Sequence, residues 1–188
     1  MNSVQQLIVL IGFTMAITSI ILLTIENPAF AIEYINEKCG VSLQYPEGWT
    51  GEDSAFVSKD ITVKSLANFS PQDDNIDVSI NIDDTEIAKK STGELSEFLR
   101  DYAISYPDST IIDSGITEIN GFQTHKIAYT GGFWGGGTLT YFVIAYDRGY
   151  ELTFNAMDKQ EFNKYSPFIE KIAKSIKISQ PNFEGINC

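Results

Sequence analysis

The chain has 188 residues, 43% of them hydrophobic, with a formal net charge of −12. That length suits one domain of about 150 residues after an export segment, with a core large enough to stand without staples. A field of that sign repels phosphate backbones and anionic lipid heads, which argues against nucleic acid as a partner.

Residues 7–25 carry no charge and are followed by Glu26-Asn27-Pro28-Ala29-Phe30-Ala31. Ala29-x-Ala31 fits a small-residue cleavage site, which makes residues 1–31 a signal peptide and Ile32 the mature N-terminus. The alternative is an uncleaved membrane anchor, because the apolar run is long enough to span a bilayer. No Lys or Arg precedes it, so orientation signals are weak. Either way, residues 32–180 are expected outside the cytoplasm, secreted or held at the outer face of the membrane. Membrane contact is expected only through residues 7–25, if they are retained.

Cys39 and Cys188 are the two cysteines. In an oxidising compartment they are a candidate disulfide. Closing so long a loop contributes about 4–5 kcal/mol in the chain-entropy model. Unpaired thiols are the alternative. Without a clustered His, a zinc site is not expected.

Val41–Tyr45 alternates as a first strand, and Pro46-Glu47-Gly48 turns the chain at Trp49. Strands are expected at 55–59 and 61–67, with a tight turn at Lys59-Asp60 between them. Asn68-Phe69-Ser70 is a glycosylation sequon, followed by a polar loop over 71–75. Asp73, Asn75, Asp77 and Asp84 partly imitate a calcium loop. However, Val78 occupies the position of the required Gly, and Ile76, Val78, Ile80 and Ile82 alternate with polar residues. An extended strand is the stronger reading, and no metal site is expected.

Ser91-Thr92-Gly93-Glu94 is a capping box opening a helix over 92–105, whose expected core face is Leu95, Phe98, Leu99, Tyr102 and Tyr106. Pro107-Asp108 stops it. Thr110–Ile119 reads as a strand kinked at Ser114-Gly115, and Asn120-Gly121 introduces the next one at Phe122–Thr130. Gly131–Gly137 then holds Phe133 and Trp134 between five glycines. A strand rather than a helix follows, so the loop cannot cradle a phosphate. Thr138–Tyr146 is apolar on both faces, as a central strand would be. Asp147-Arg148-Gly149 turns it into Tyr150–Ala156, which has one buried face. Asp158 with Glu161 caps a second helical region, which Pro167 should divide in two, with Ser166 capping the second piece. Residues 178–188 are expected to be a tail, its end 181–188 beyond the domain, held only if Cys188 is bonded.

Tyr45-Pro46-Glu47-Gly48-Trp49, the helix followed by a three-strand meander, and Tyr165–Ile172 through Lys177 together resemble the PsbP-like proteins, over about residues 39–178. The resemblance implies an α+β fold, a three-layer α/β/α sandwich with a central antiparallel sheet. The fold also serves a Ran-binding guanine-nucleotide release factor, so it does not fix function. Photosynthetic members support the oxygen-evolving complex of photosystem II, but an acidic chain lacks basic docking contacts. What carries over is a binding, assembly or scaffold role toward another extracytoplasmic or membrane protein.

His125 is the lone histidine and could serve as a general base. It has no nucleophile motif beside it, and a structural role or a solvent-facing position is expected. The competing function is a small hydrolase or metal-dependent enzyme using His125 and nearby acids. It would require a concave pocket around that residue. No cofactor and no catalytic residue is assigned. Phe133 and Trp134 are the candidate binding residues, either as exposed anchors or as a lid folded on the core.

Overall fold

The main sheet follows from alternation in its middle strand. Tyr150, Leu152, Phe154 and Ala156 are fully buried, and the residues between them, Glu151, Thr153 and Asn155, face the other side. The computed structural model describes residues 30–54, 63–72, 76–83 and 89–181. In chain order these form strands β1 (Phe30–Asn36), β2 (Val41–Pro46), β3 (Trp49–Asp53), β4 (Val63–Pro71) and β5 (Ile76–Asp83). Helix α1 (Thr92–Ile104), β6 (Thr110–Ile119), β7 (Phe122–Thr130), β8 (Gly137–Ala145), β9 (Arg148–Ala156), α2 (Lys159–Ser175) and β10 (Lys177–Ile178) follow.

Seven strands pair antiparallel in the order β3-β4-β5-β9-β8-β7-β6, and β1-β2-β10 form a second sheet. The expected β7-β8-β9 meander is present, with β9 at the centre of the larger sheet. Its turns differ in detail from expectation. Tyr146 (φ 52°) and Asp147 (φ 58°) take the left-handed positions between β8 and β9. Gly149 instead lies within β9, where a Cβ would stand 2.2 Å from the Phe142 ring. It is there for close approach rather than for φ.

One face of the seven-stranded sheet is covered by α2 and the small sheet. Phe154 stacks on Phe162 of α2 at 5.7 Å, and Tyr34 and Tyr45 both pack on Phe69 of β4. Tyr150 donates its hydroxyl to the Cys39 carbonyl at 3.2 Å. Lys126 of β7 joins the layers through Asp113 of β6 (2.8 Å) and Glu170 of α2 (2.9 Å).

Among the described residues, α1 is what covers the opposite face, over β6 and β7. Its Leu95 and Ala103 are buried, whereas Phe98 is 37% and Tyr102 51% exposed. The sequence reading put Leu95, Phe98, Leu99, Tyr102 and Tyr106 on one core face. In the structure they are two adjacent rows four residues apart. Leu95, Leu99 and Ala103 reach the sheet, while Phe98, Tyr102 and Tyr106 overhang β8 and β9. Across β5 and β9 the floor on this side is polar: Asp77, Ser79, Asn81, Glu151, Thr153 and Asn155. The α+β antiparallel architecture is as expected.

Three other expectations are revised. Pro167 does not divide α2, which is one helix. Ser166 Oγ donates to the Phe162 carbonyl at 2.6 Å. Pro167 and Asn163 lie on the exposed side, where water can take the released carbonyl. Trp49 opens strand β3, which its polar residues Gly51, Glu52 and Asp53 concealed, and Tyr165 meets its ring at 5.9 Å. The chain beyond α2 is already tied at β10, where Lys177 pairs with Ser42 and the Ser179 N–H donates to the Gly40 carbonyl at 2.7 Å. The expected strand at 55–59, the Lys59-Asp60 turn and residues 73–75 and 84 lie outside the described residues. The alternating run Ile76–Asp83 is a strand, β5.

Leu152 sits on the central strand and is fully buried. Leu152→Ala should therefore cost about 2–5 kcal/mol, the range for a buried leucine truncated in a packed core. Urea unfolding followed by tryptophan fluorescence measures it, and a loss under about 1 kcal/mol would contradict this placement of the core.

Candidate functional site

The connection between β7 and β8 is seated by its glycines. Gly131 has φ +82°, and a Cβ there would lie 2.2 Å from the Asp108 carbonyl oxygen. A Cβ on Gly136 would lie 2.4 Å from the backbone of Asp158, the N-cap of α2. The Gly135 N–H closes a turn onto the Gly132 carbonyl at 3.3 Å. Backbone packs on backbone at both ends of the loop, which is possible only without side chains. Ordering five glycines carries an entropic cost, and the glycines make the compensating contacts themselves.

What the loop presents is divided. Phe133 is 82% exposed, whereas Trp134 is half-buried, and their rings meet edge to face at 5.5 Å. The two sequence readings, exposed anchor and lid, thus fall to different residues. Trp134 and Phe133 border a cleft of about 320 Å³ between the overhanging row of α1 and the polar floor, with Tyr106 on its wall and Thr153 and Asn155 beneath. A second recess of about 190 Å³ runs under α1 past Phe98 and Phe142. Tyr102, Tyr129, Thr140 and Glu151 line both.

The aromatic wall is internally braced. Tyr106 donates its hydroxyl to that of Tyr102 at 2.5 Å, and the two rings are perpendicular at 5.3 Å. Tyr106 also stacks on Tyr129 at 6.4 Å. The neighbouring Tyr106 phenol, then burial, and more weakly the charge of Glu151, push the Tyr102 phenol up. Burial foremost, with Tyr106 and Glu151 adding, raises Tyr129. Both phenols therefore stay protonated at neutral pH, close to a carboxylate whose Oε1 accepts from Thr153 Oγ1 at 2.7 Å. Sequence reasoning missed Tyr102, Tyr129 and Glu151 as site residues. Alternation in β9 placed Glu151 on the polar face, but nothing local to it indicated the aromatic row above.

His125 is buried, at 1% exposure, beneath α1. Ser96 Oγ lies 3.0 Å from Nδ1 and Gln123 Nε2 lies 3.0 Å from Nε2. With the Gln123 amide nitrogen facing the ring, Nε2 accepts and Nδ1–H donates to Ser96. That polarity is opposite to the one that activates a hydroxyl. A cleft of about 250 Å³ adjoins it, lined by Arg100, Ser114 and Ile116 among others, with no carboxylate in the lining. Among the described residues no group of three or more His, Cys, Asp and Glu side chains could hold a metal ion. Likewise, no described helix is long and apolar enough to cross a membrane; residues 7–25 lie outside the described residues. Cys39 is fully buried, and Cys188 lies outside the described residues.

No protein-family model and no curated protein matches the chain. Solved structures do. Cyanobacterial PsbP (CyanoP) from Synechocystis sp. PCC 6803 superposes with a TM-score of 0.56 at 12% identity, over 82% of this chain and 96% of that one. LpqN, involved in cell envelope biogenesis of Mycobacterium tuberculosis, gives 0.53 at 15% identity, over 74% and 83%. The Ran-binding protein Mog1p of Saccharomyces cerevisiae gives 0.52 at 9% identity, over 78% and 94%. The chain has a PsbP-like fold, and at these identities the likeness is one of fold.

Burial lowers the His125 pKa in the folded state. The unfolded chain then takes up its proton near pH 6.5 while the folded one still excludes it, so stability falls as pH drops below about 6.5. Carboxylates titrate lower, which isolates this window. His125→Gln should flatten the slope of unfolding free energy between about pH 6.5 and 5. An unchanged slope in the variant would reject burial as its source.

Proposed function

We propose that this chain is a non-catalytic binding or scaffold protein that works outside the cytoplasm, and that its partner is another extracytoplasmic or membrane protein. The observation that carries the proposal is Phe133, 82% exposed on a loop whose ends are packed backbone to backbone. A large apolar ring held in water by a rigid mount is what an interaction anchor requires, because little ordering entropy remains to be lost on binding. Trp134 forms the inner half of the same corner. Two neighbours in fold support the reading by their own roles: Mog1p is Ran-binding, and LpqN is involved in cell envelope biogenesis. The acidic balance disfavours nucleic acid here as well.

Phe133→Ala should leave stability within about 0.5 kcal/mol, since an exposed ring contributes little to folding. It should also remove capture of the partner from native membranes. Trp134→Ala should weaken capture with some loss of stability, being half-buried. If capture by Phe133→Ala equals that of the parent chain, the corner is not the docking site.

The export and disulfide readings belong to the same proposal. Residues 1–31 act as a signal peptide or N-terminal anchor, and Cys39 pairs with Cys188. Among the described residues no cysteine is free. The antiparallel pairing of β10 with β2 sets Ser179 against Gly40, next to Cys39, so the tail starts beside its target. Asn68, exposed on β4, is the proposed glycan acceptor. Mass spectrometry of native-host protein after thiol labelling without reduction tests both readings. A mature chain starting at Ile32 with no label is expected. An intact Met1 would establish the anchor, and two labels would exclude the disulfide.

A further inference from the structure

We infer that the cleft between α1 and β6 binds a small monocarboxylate with an apolar body, held by Arg100. This goes beyond the docking reading and does not rest on it. The cleft is lined from α1, β6 and β7, whereas Phe133 and Trp134 border a different one.

The cleft holds more donors than acceptors. Arg100 Nη1 donates to Ser114 Oγ at 3.0 Å. A guanidinium is always charged and carries five N–H donors, and among the described residues no carboxylate pairs with this one. His125 Nδ1–H donates to Ser96 Oγ, so the hydroxyl hydrogen of Ser96 points away from the ring. Ser114 Oγ likewise accepts from Arg100 and keeps its own hydrogen to give. Ser96 and Arg100 share a side of α1, one turn apart, and Ser114 meets them from β6. Lys126 also lies in the lining, but its ammonium is held between Asp113 and Glu170. One guanidinium with two hydroxyls, and no carboxylate in the lining, matches a single carboxylate taken by the arginine fork.

The remaining lining selects the rest of the ligand. Leu99 is half-buried, Ile127 is buried, and Ile116 is 54% exposed. A hydrocarbon body would cover the Ile116 side chain, which the protein leaves in water. The cleft of about 250 Å³ has room for about eight waters at about 30 Å³ each, so that body is a short chain or a single ring. Phosphate fits less well, because its second charge finds no second free cation and its oxygens would lie against leucine and isoleucine. A peptide C-terminus brings an amide N–H beside its carboxylate, and no carboxylate or amide side chain lines the cleft to accept it. The net charge of −12 opposes any anion at long range. Exposed charges beyond about 8 Å are screened at physiological ionic strength, and Glu97 and Asp101, next to Arg100 along α1, are exposed to water. The guanidinium in contact with the ligand therefore decides.

The test is two-dimensional NMR of the full mature chain titrated with hexanoate. Hexanamide, acetate, inorganic phosphate and acetyl-leucine serve as comparators. Saturable shifts at Ser96, Arg100 and Ser114 are expected with hexanoate. Hexanamide keeps the shape and loses the charge, so it should bind more weakly by about tenfold or more. Arg100→Gln should weaken hexanoate by about tenfold or more with the spectrum otherwise retained, because the residue is exposed. Arg100→Lys, which keeps the charge without the fork, should fall between the two. Ile116→Ser should weaken hexanoate and leave acetate unchanged.

The absence of a saturable shift with hexanoate, equal binding of hexanamide, or full binding by Arg100→Gln would each overturn the proposal. Tighter binding of phosphate would reassign the cleft to inorganic oxyanions, and tighter binding of acetyl-leucine to peptide C-termini; either result rejects the ligand class named here. Arg100→Gln should also leave partner capture through Phe133 intact. Loss of capture in that variant would make the cleft part of the docking surface and overturn its assignment to a free ligand. Hexanoate binding as described, with normal capture by Phe133→Ala, would reject the docking reading alone.

Discussion

The fold depends on the two-sidedness of β9. One side of this strand is a continuous apolar row, Tyr150, Leu152, Phe154 and Ala156, which α2 and the small sheet must cover. The other side is Glu151, Thr153 and Asn155, and no helix can be laid on it without desolvating a carboxylate and an amide. Burial of the first row drives assembly, and the polarity of the second limits it. A helix on that face has to sit to one side, over β6 and β7, where Leu99 and Ala103 find Ile111, Ile127 and Tyr129. The cleft is the space left by that displacement.

From this follows the odd character of α1. Its apolar residues are more numerous than its buried ones, since Phe98, Tyr102 and Ile104 are all exposed. The aromatic row runs from the buried Tyr129 through the half-buried Tyr106 to Tyr102 and Phe98, which are exposed over the polar floor. The row is held in place by contacts among its own members, from Phe98 through Tyr102 and Tyr106 to Tyr129. The loop that carries Phe133 and Trp134 continues the same wall past the end of the helix. Its glycines place it there by touching Asp108 on one side and Asp158 on the other.

Strand identity in the meander was legible because alternation is a local property. Helix starts were legible through Ser91 with Glu94, whose carboxylate accepts the Ser91 N–H at 3.0 Å, and through Asp158, which accepts from Glu161 at 2.8 Å. Strand β3 was not, because Gly51-Glu52-Asp53 lacks the apolar residues that mark a strand. It is held by pairing with β4, a contact between residues far apart in sequence. The helical spacing of Phe98, Tyr102 and Tyr106 was read correctly as a face and wrongly as core. Periodicity reports which residues share a side; what lies opposite that side depends on the lateral position of the helix over the sheet. Pro167 shows the same limit. Its missing donor was visible in the sequence, but the exposure that makes it tolerable was not.

The site was legible to a similar degree. Phe133 and Trp134 stood out as large aromatics among glycines, and their division into an exposed ring and a half-buried one could come only from the fold. Glu151 was hidden because its partners arrive from α1, β7 and β8. The edges of the large sheet offer a contrasting kind of surface. Strand β6 is long and, among the described residues, open on one side, but a bulge between Ile111 and Asp113 breaks its register, and charged Asp113 and Glu118 sit along it. Such features blunt an edge against strand addition. Recognition through the backbone is thus discouraged at β6 and impossible at β9. The aromatic wall, Glu151 and Phe133 offer a partner side chains instead.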